Sequence, residues 1–388
     1  MVSHPVFLLL LLAAVEAAVL FFSSRPRLEK YFKVIPAVFW IYFLPMVFST
    51  AGVIPAQSPV YGNISAYLLP ASLVLLFLGA NIPAILGLGR YALTMMLAGS
   101  FGVVLTAPLI LVLFGKWLPA QAWSGFAALS GSWVGGSANM LAAKEALHTP
   151  DNVFLPMLVV DVVVSYSWMG ILIALSNVQA AYDRWNSSER QMIDELREKV
   201  RATSSEDRGI SFLATAGMLL LAGGMTMAAI FLSGFLPSAA VFSRATWVIL
   251  TVSIGAVFLS LTPLKKLQSL GASRVGYWIL YFVLTSMGAK ANLRDLAGAP
   301  YFVLAGFAWV FCHFLFMLTV ARIIRAPLAL TATASQANIG GPVSAPIVGA
   351  VYEPALAPVG LLLGVFGNLI GTYAALLCAR LCYLARPF

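Results

Sequence analysis

Gly131-Ser-Trp-Val-Gly-Gly-Ser-Ala-Asn-Met140 lies within an apolar run long enough to span a bilayer, yet its residues interrupt a helix and offer hydrogen bonds. A second stretch of the same kind, Ser335-Gln-Ala-Asn-Ile-Gly-Gly-Pro-Val-Ser-Ala-Pro346, occupies the matching place in the second half of the chain. In hydrocarbon every backbone N–H and C=O must be satisfied, so non-helical backbone survives only where it is buried in protein or lines a wet cavity. Two broken helices at corresponding positions therefore point to a transporter's substrate site. Tight packing through small residues would also use the glycines, but the Ser, Asn and Gln beside them in both halves favour binding.

The surrounding chain sets the class. Of its 388 residues 61% are hydrophobic and 10% charged, with a mean hydropathy of +0.93, which excludes a soluble globular protein. The runs lack the alternation of a membrane β-barrel, so the expected fold is an all-α integral membrane protein. Apolar runs at about 5–22, 34–54, 65–82, 91–114, 121–147 and 153–177 form a first set, and runs at about 210–235, 243–262, 274–291, 299–324, 328–352 and 355–382 a second. That reading predicts about 12 transmembrane segments: a first membrane repeat over 1–177, a polar linker over 178–209 and a second repeat over 210–388. The linker's dense mixed-sign charge, from Arg184 to Arg208, reads as a solvated tether or a short surface helix. The run from Val6 to Phe22 has no Lys or Arg before it and contains Glu16, so it reads as a retained helix and not a cleaved signal.

The net charge of +9 comes from Lys and Arg in short loops, where they set orientation against the bilayer; no nucleic-acid partner is implied. Cys312, Cys378 and Cys382 fall in apolar segments without metal-ligand spacing and read as packing residues.

The two sets of runs are copies. Trp40 and Trp247 are 207 positions apart in similar contexts, Gly79 and Gly288 are 209 apart, and Gly135 and Gly340 are 205 apart. A nearly constant offset over so long a span indicates internal duplication. Loop charges orient the copies oppositely: Arg25, Arg27, Lys30, Lys33, Arg90 and Lys144 favour an outside start for the first, while Lys265, Lys266, Arg274, Arg322, Arg325, Arg380 and Arg386 favour an inside start for the second. Opposite preferences are the mark of an inverted repeat. Six crossings per copy joined by a non-spanning linker would make the copies parallel, so inversion requires one run to be re-entrant or interfacial, or to hide an extra crossing.

Residues at the breaks are the candidate substrate ligands: Ser132, Gly135 and Gly136 in the first, and Gln336, Asn338, Gly340 and Gly341 in the second. Glycine permits unwound backbone and Pro342 lacks the N–H a continuing helix would need. Half-helix termini then direct partial charges at the site, where an anionic group and a cation are stabilised. Asp161 lies in the middle of Val153 to Asn177, where an ionised Asp costs about 2.5–3.5 kcal/mol. It therefore needs a partner, a proton or a cation; a neutral packing role is the bland alternative. Ser165 and Trp168 follow on the same helical face. Glu16 could serve as a packing partner or a functional acid, and His313 reads as a satisfied core residue. Lys144 and Glu145 read as an interfacial pair and not a catalytic one, and the sequons Asn63-Ile-Ser65 and Asn186-Ser-Ser188 as chance matches.

Gly131 to Asn139, Val160-Asp161, Ala334-Ser-Gln-Ala-Asn-Ile-Gly-Gly341 and Gly364-Val-Phe-Gly-Asn-Leu-Ile-Gly-Thr-Tyr373 resemble the signatures of a multispanning family known as domain of unknown function 819, over essentially the whole chain. That family is grouped with bile acid:sodium symporters and cation/proton antiporters. The resemblance implies two inverted repeats, each with a discontinuous helix crossing its partner near the midplane. It implies a core from the last three helices of each half, rocking or sliding against the rest. It also implies that Ser137 and Asn139 serve as sodium ligands, with Asp161 and Ser165 as their counterparts on the next helix. One departure stands out: the symporters' acidic ligand in the second broken helix is replaced here by the neutral Gln336 and Asn338.

The expected function is a secondary active transporter moving a small solute, with an organic anion preferred, coupled to Na⁺ or H⁺ in the bacterial cytoplasmic membrane or an organelle inner membrane. A monovalent cation/proton antiporter is the alternative. An intramembrane hydrolase is the enzymatic rival, disfavoured because Ser137 has no histidine near in sequence and His313 stands alone; no enzyme activity is expected. Partners are the small solute and the lipid bilayer, with a homodimer allowed. No cofactor is expected beyond Na⁺ as a coupling ion.

Overall fold

A computed structural model describes residues 4–28, 31–32, 37–78, 82–188, 212–237, 243–290, 299–353 and 356–386. Among the described residues the regular structure is entirely helical. The principal helices are α1 (Pro5–Ser23), α2 (Ala37–Thr50), α3 (Pro59–Leu78), α4 (Arg90–Phe114), α5 (Ala122–Ala146), α6 (Asp151–Leu175) and α7 (Gln179–Asn186). They continue as α8 (Phe212–Ser233), α9 (Arg244–Ser260), α10 (Ala272–Lys290), α11 (Ala299–Ile324), α12 (Leu328–Ile339), α13 (Gly341–Tyr352) and α14 (Leu356–Ala385).

Among the described residues seven helices are long and apolar enough to cross a membrane: α1, α3, α4, α6, α8, α11 and α14. The twelve spans expected from apolar runs are not reached by length and composition, for a physical reason. A helix rises about 1.5 Å per residue, so α12 and α13, with 12 residues each, are individually much shorter than a hydrocarbon core of about 30 Å. The shortfall elsewhere comes from α5, which carries the polar break, from α2 and α9, which have 14 and 17 residues, and from α10, whose 19 residues include Arg274 and Lys290 and several small polar side chains. The outer surfaces fit lipid: α4 exposes Leu97, Phe101, Leu105 and Leu109 at one-turn spacing, and α8 exposes Leu213, Leu220, Met227 and Phe231. Large apolar side chains repeated along one face have hydrocarbon as their natural solvent, and the chain is a membrane protein.

The chain forms two compact units, each interleaving segments from both sequence halves. Unit 1 comprises residues 1–79, 144–162 and 207–299, and unit 2 residues 80–143, 163–206 and 300–388. In unit 1, α10 packs on α2 and α3, α9 on α3, and α1 on α2 and α10. The contact of α10 with α2 is backbone-close: a Cβ on Gly288 would stand 2.1 Å from the Tyr42 carbonyl oxygen. Gly79, which the expected duplication aligns with Gly288, lies outside the described residues. The start of α3 is capped by the Ser58 hydroxyl, which accepts from the Val60 N–H at 3.3 Å, and its turn Ile64–Leu68 is a π-helix.

Unit 2 gathers the last long helices of each half, except that residues 144–162 belong to unit 1. Its core is built of small and flexible side chains, among them Ala92, Met95, Met96, Ala329, Ala334, Ala337 and Ala345, which let helices approach closely in the absence of a hydrophobic drive between them. Residues 179–186 of the polar interval form α7, which is docked and not merely solvated. Asp183 accepts from the Leu328 N–H at 2.9 Å at the start of α12, and Asn186 donates to the Ala326 carbonyl at 2.8 Å. Residues 189–209 of that interval lie outside the described residues.

Candidate functional site at two helix breaks

Both breaks are real interruptions, and in each the irregular residue is the second glycine of the pair. Gly136 has φ 78° and ψ 178° within α5, a region essentially closed to residues with a Cβ. Gly340 caps α12, and Gly341 opens α13 with φ 66°. The two left-handed glycines are 205 positions apart, the same offset as Gly135 and Gly340.

One helix joins the two breaks. Along α14 the glycines 364, 367 and 371 replace side chains where other backbones press in. A Cβ on Gly364 would lie 2.5 Å from the Pro342 nitrogen, one on Gly367 2.1 Å from the Val134 oxygen, and one on Gly371 2.7 Å from Gly135 Cα. The second break therefore seats on α14 at Gly364 and the first at Gly371, seven residues or roughly 10 Å apart along the helix axis.

At the first break the Asn139 amide closes what the kink opens. Its Nδ2 donates to the Gly135 carbonyl at 2.5 Å and to the Asn368 carbonyl at 3.0 Å, while its Oδ1 accepts from Thr372 at 2.5 Å. Asn338 is held elsewhere: its Nδ2 donates to the Met96 carbonyl at 3.2 Å and the Ala334 carbonyl at 3.0 Å, and its Oδ1 accepts from Ser100 at 2.8 Å. The two asparagines do not bond to each other. They are linked through α4 and α14, since the Met96 methyl would lie 2.9 Å from a Gly367 Cβ.

Across the second break Gln336 Nε2 donates to the Ser344 hydroxyl at 2.8 Å, tying α12 to α13. This bridge passes over Gly340, where a Cβ would meet Ser344 Oγ at 2.0 Å and Gln336 Nε2 at 2.1 Å. The helix after the first break also serves the second, because the Ser165 hydroxyl donates to the Ile339 carbonyl at 3.0 Å and the Trp168 indole N–H to Ser335 Oγ at 3.0 Å. Asp161, one turn before Ser165, belongs to unit 1; it is half-buried and engaged. Ser132 is buried and engaged, and Ser137 is half-buried.

His313 is a satisfied core residue, as its sequence context suggested, and its partners are distant in sequence. Its Nδ1 lies 3.0 Å from the Gly99 carbonyl and its Nε2 3.1 Å from Ser335 Oγ. A carbonyl can only accept, so Nδ1 carries the proton and the neutral ring's Nε2 accepts from the Ser335 hydroxyl. That hydroxyl in turn accepts the Trp168 N–H, which completes a directed chain from Trp168 through Ser335 and His313 to Gly99. Lys144 likewise pairs with Asp151 at 2.6 Å and not with its neighbour Glu145. The cysteines are free, Cys378 and Cys382 standing one turn apart with sulfurs at 3.8 Å.

Two buried polar atoms at the breaks lack any partner: the Trp133 indole nitrogen, two residues before Gly135, and the Gln336 Oε1. Trp133 is fully buried against Trp309, with ring centroids 4.6 Å apart, and Gln336 is 1% exposed. An orphaned buried polar group costs about 1–3 kcal/mol, so each is a position where a hydrogen-bonding partner would stabilise the protein. Trp133, Ser335, Ser344, Ser100, Asn368 and Thr372 all escaped nomination from sequence. The last two lie within the signature Gly364 to Tyr373, whose glycine spacing 364, 367, 371 marks a helix face pressed by backbone.

Residues 10–383 match the family described as "Protein of unknown function (DUF819)". The chain is 27% identical over 355 residues to the "Uncharacterized membrane protein YjcL" of Bacillus subtilis (strain 168), an alignment covering 84% of this chain and 85% of that protein. With a match over nearly its whole length, the chain belongs to the DUF819 family of membrane proteins.

Proposed function

We propose that this protein is a secondary active transporter in which the two helix breaks bind a small solute and its coupling ion. The observation that carries the reading is the pair of orphaned atoms, the Trp133 N–H at the first break and the Gln336 Oε1 at the second. An indole N–H suits an anionic oxygen and an amide oxygen suits a cation or a donating group. An organic anion coupled to Na⁺ or H⁺ meets both requirements. Gln336 Oε1 also favours the second reading, a monovalent cation/proton antiporter, which needs only the acceptor.

Further support comes from the duplication. Two left-handed glycines at one repeat offset, seated on one helix, match the paired discontinuous helices of inverted-repeat transporters, and the kinship with bile acid:sodium symporters and the count of about 12 crossings belong to this proposal. The hydrolase reading is weaker. Ser335 and His313 do meet the distance a nucleophile and base require, but the Ser335 oxygen already accepts the Trp168 N–H and the far ring nitrogen of His313 is bound to the Gly99 carbonyl and not to an orienting carboxylate. The pair serves better as core polar packing.

Uptake into proteoliposomes tests the reading. Candidate organic anions are offered with and without inward Na⁺ and pH gradients, and a pH-sensitive dye reports antiport in parallel. Gradient-driven uptake is expected in the native protein and its loss in Asp161→Asn, which keeps shape but cannot carry charge. Absence of both uptake and antiport in the native protein overturns the transporter; undiminished transport by the variant moves the coupling to another group, Glu16 first.

A further inference from the structure

We propose that a cavity of about 230 Å³ in unit 1, lined by Ser65, Tyr67, Glu145, Ile230, Arg244 and Val248 among others, binds a zwitterionic group bearing an ammonium and a phosphate or carboxylate. None of residues 132–141 or 335–341 lines it, so it is a different site from the helix breaks.

Opposite charges share its wall without neutralising each other. Among the described residues no ion pair joins Glu145 to Arg244; the pair at this end of α5 is Lys144 with Asp151. Glu145 also lies within electrostatic reach of Lys290. Arg244 donates Nε to Ser233 Oγ at 3.3 Å and Nη2 to the Ile230 carbonyl at 3.4 Å, both long, and a guanidinium has five N–H donors. Most of its hydrogen-bonding capacity therefore remains for a ligand.

Ser65 adds an independent sign. It is 1% exposed and its Oγ has no hydrogen-bond partner. A helical serine ordinarily bonds back to the preceding turn, but Ser65 sits in the π-turn Ile64–Leu68, a geometry often found at functional sites. Its hydroxyl can donate to an anionic oxygen beside Arg244. A simple anion would be repelled by Glu145 and a simple cation by Arg244; a group carrying both charges satisfies each. Tyr67, Ile230 and Val248 supply apolar wall for an attached alkyl chain. The volume falls below the ~300 Å³ of the smallest drug-sized pockets, which suits a headgroup or an amino acid.

Placement agrees with the chemistry. Glu145 ends α5 and Arg244 begins α9, and the Ser243 and Thr246 hydroxyls bind the Ala146 carbonyl at 2.8 and 3.2 Å to hold those ends together. Charged helix ends lie at the depth of lipid headgroups. The same chemistry could come from phosphatidylethanolamine or from a soluble amino acid.

Native mass spectrometry and thermal melting of the purified full-length protein, titrated separately with phosphatidylethanolamine, phosphatidylglycerol and leucine, decide between them. At least one zwitterion should bind and raise the melting temperature, with phosphatidylglycerol about tenfold weaker, one favourable charge contact being worth about that factor. Binding of the lipid alone assigns a headgroup site and binding of leucine a solute site. Glu145→Gln should erase the roughly tenfold preference over phosphatidylglycerol, a ratio that partial unfolding would not invert. Arg244→Gln should weaken all anion-bearing probes. Ala66→Phe, at an exposed residue lining the cavity, should block binding while leaving both charges. Failure of both zwitterions to bind the native protein, equal binding of phosphatidylglycerol, unchanged selectivity in Glu145→Gln, or unaltered binding in Ala66→Phe overturns the proposal.

Discussion

Replacing Gly340 by alanine should break the bridge that holds the second helix break. The backbone there is unremarkable, φ −117°, so an alanine meets no conformational penalty and the effect is purely steric. Its Cβ would fall 2.0 Å from Ser344 Oγ and 2.1 Å from Gln336 Nε2. Both are ends of side chains and can move, but in moving they lose the 2.8 Å hydrogen bond that crosses from α12 to α13. Gln336 already has an unpartnered Oε1, and its buried Nε2 would join it, a loss of about 1–3 kcal/mol. The cause can be isolated by a cycle with Ser344→Ala. That change alone should cost about 1 kcal/mol, and in the Gly340→Ala background close to nothing, giving a coupling of about 1 kcal/mol. Reversible unfolding of the detergent-solubilised protein measures all four variants. A Gly340→Ala protein within about 0.5 kcal/mol of the native one, or strictly additive effects, would refute the reasoning.

Gly288→Ala should be worse, because the obstacle is the Tyr42 carbonyl at 2.1 Å and backbone cannot step aside as a side chain can; a loss of about 3 kcal/mol or more, read by the same unfolding assay, is expected. Asn139→Ala removes the donor to the Gly135 and Asn368 carbonyls and the acceptor of Thr372, so a loss of about 2–4 kcal/mol is expected, and a change below about 0.5 kcal/mol would show that water takes the amide's place. Single cysteines at Gly87 and at Ala297, which lies outside the described residues, test the inverted repeat: an impermeant thiol reagent added from outside should reach only the Ala297 site, and equal labelling of both would make the repeats parallel.

Much of this protein is legible without coordinates. Membrane residence follows from apolar runs, which are a local property of the chain, and the breaks at Gly135-Gly136 and Gly340-Gly341 follow from residues whose effect on a helix is also local. The expectation of a duplication rests on counting positions. The number of crossings is less secure because run length says nothing of where a helix stops: the runs around 121–147 and 328–352 contain interruptions that divide their length.

Tertiary structure alone decided the wiring. Asn338 meets Met96 and Ser100, more than 230 positions away, and not Asn139. His313 and Trp168 converge on Ser335, Lys144 turns to Asp151, and Gln336 and Trp133 keep one polar atom each without a partner. Each of these depends on which faces of distant helices pack together and how closely glycines let them approach. Local pattern specifies that a residue is polar and inside the membrane. Only the packing of the other helices determines whether anything stands within 3 Å of it, and so whether it is a strut or a polar group without a partner.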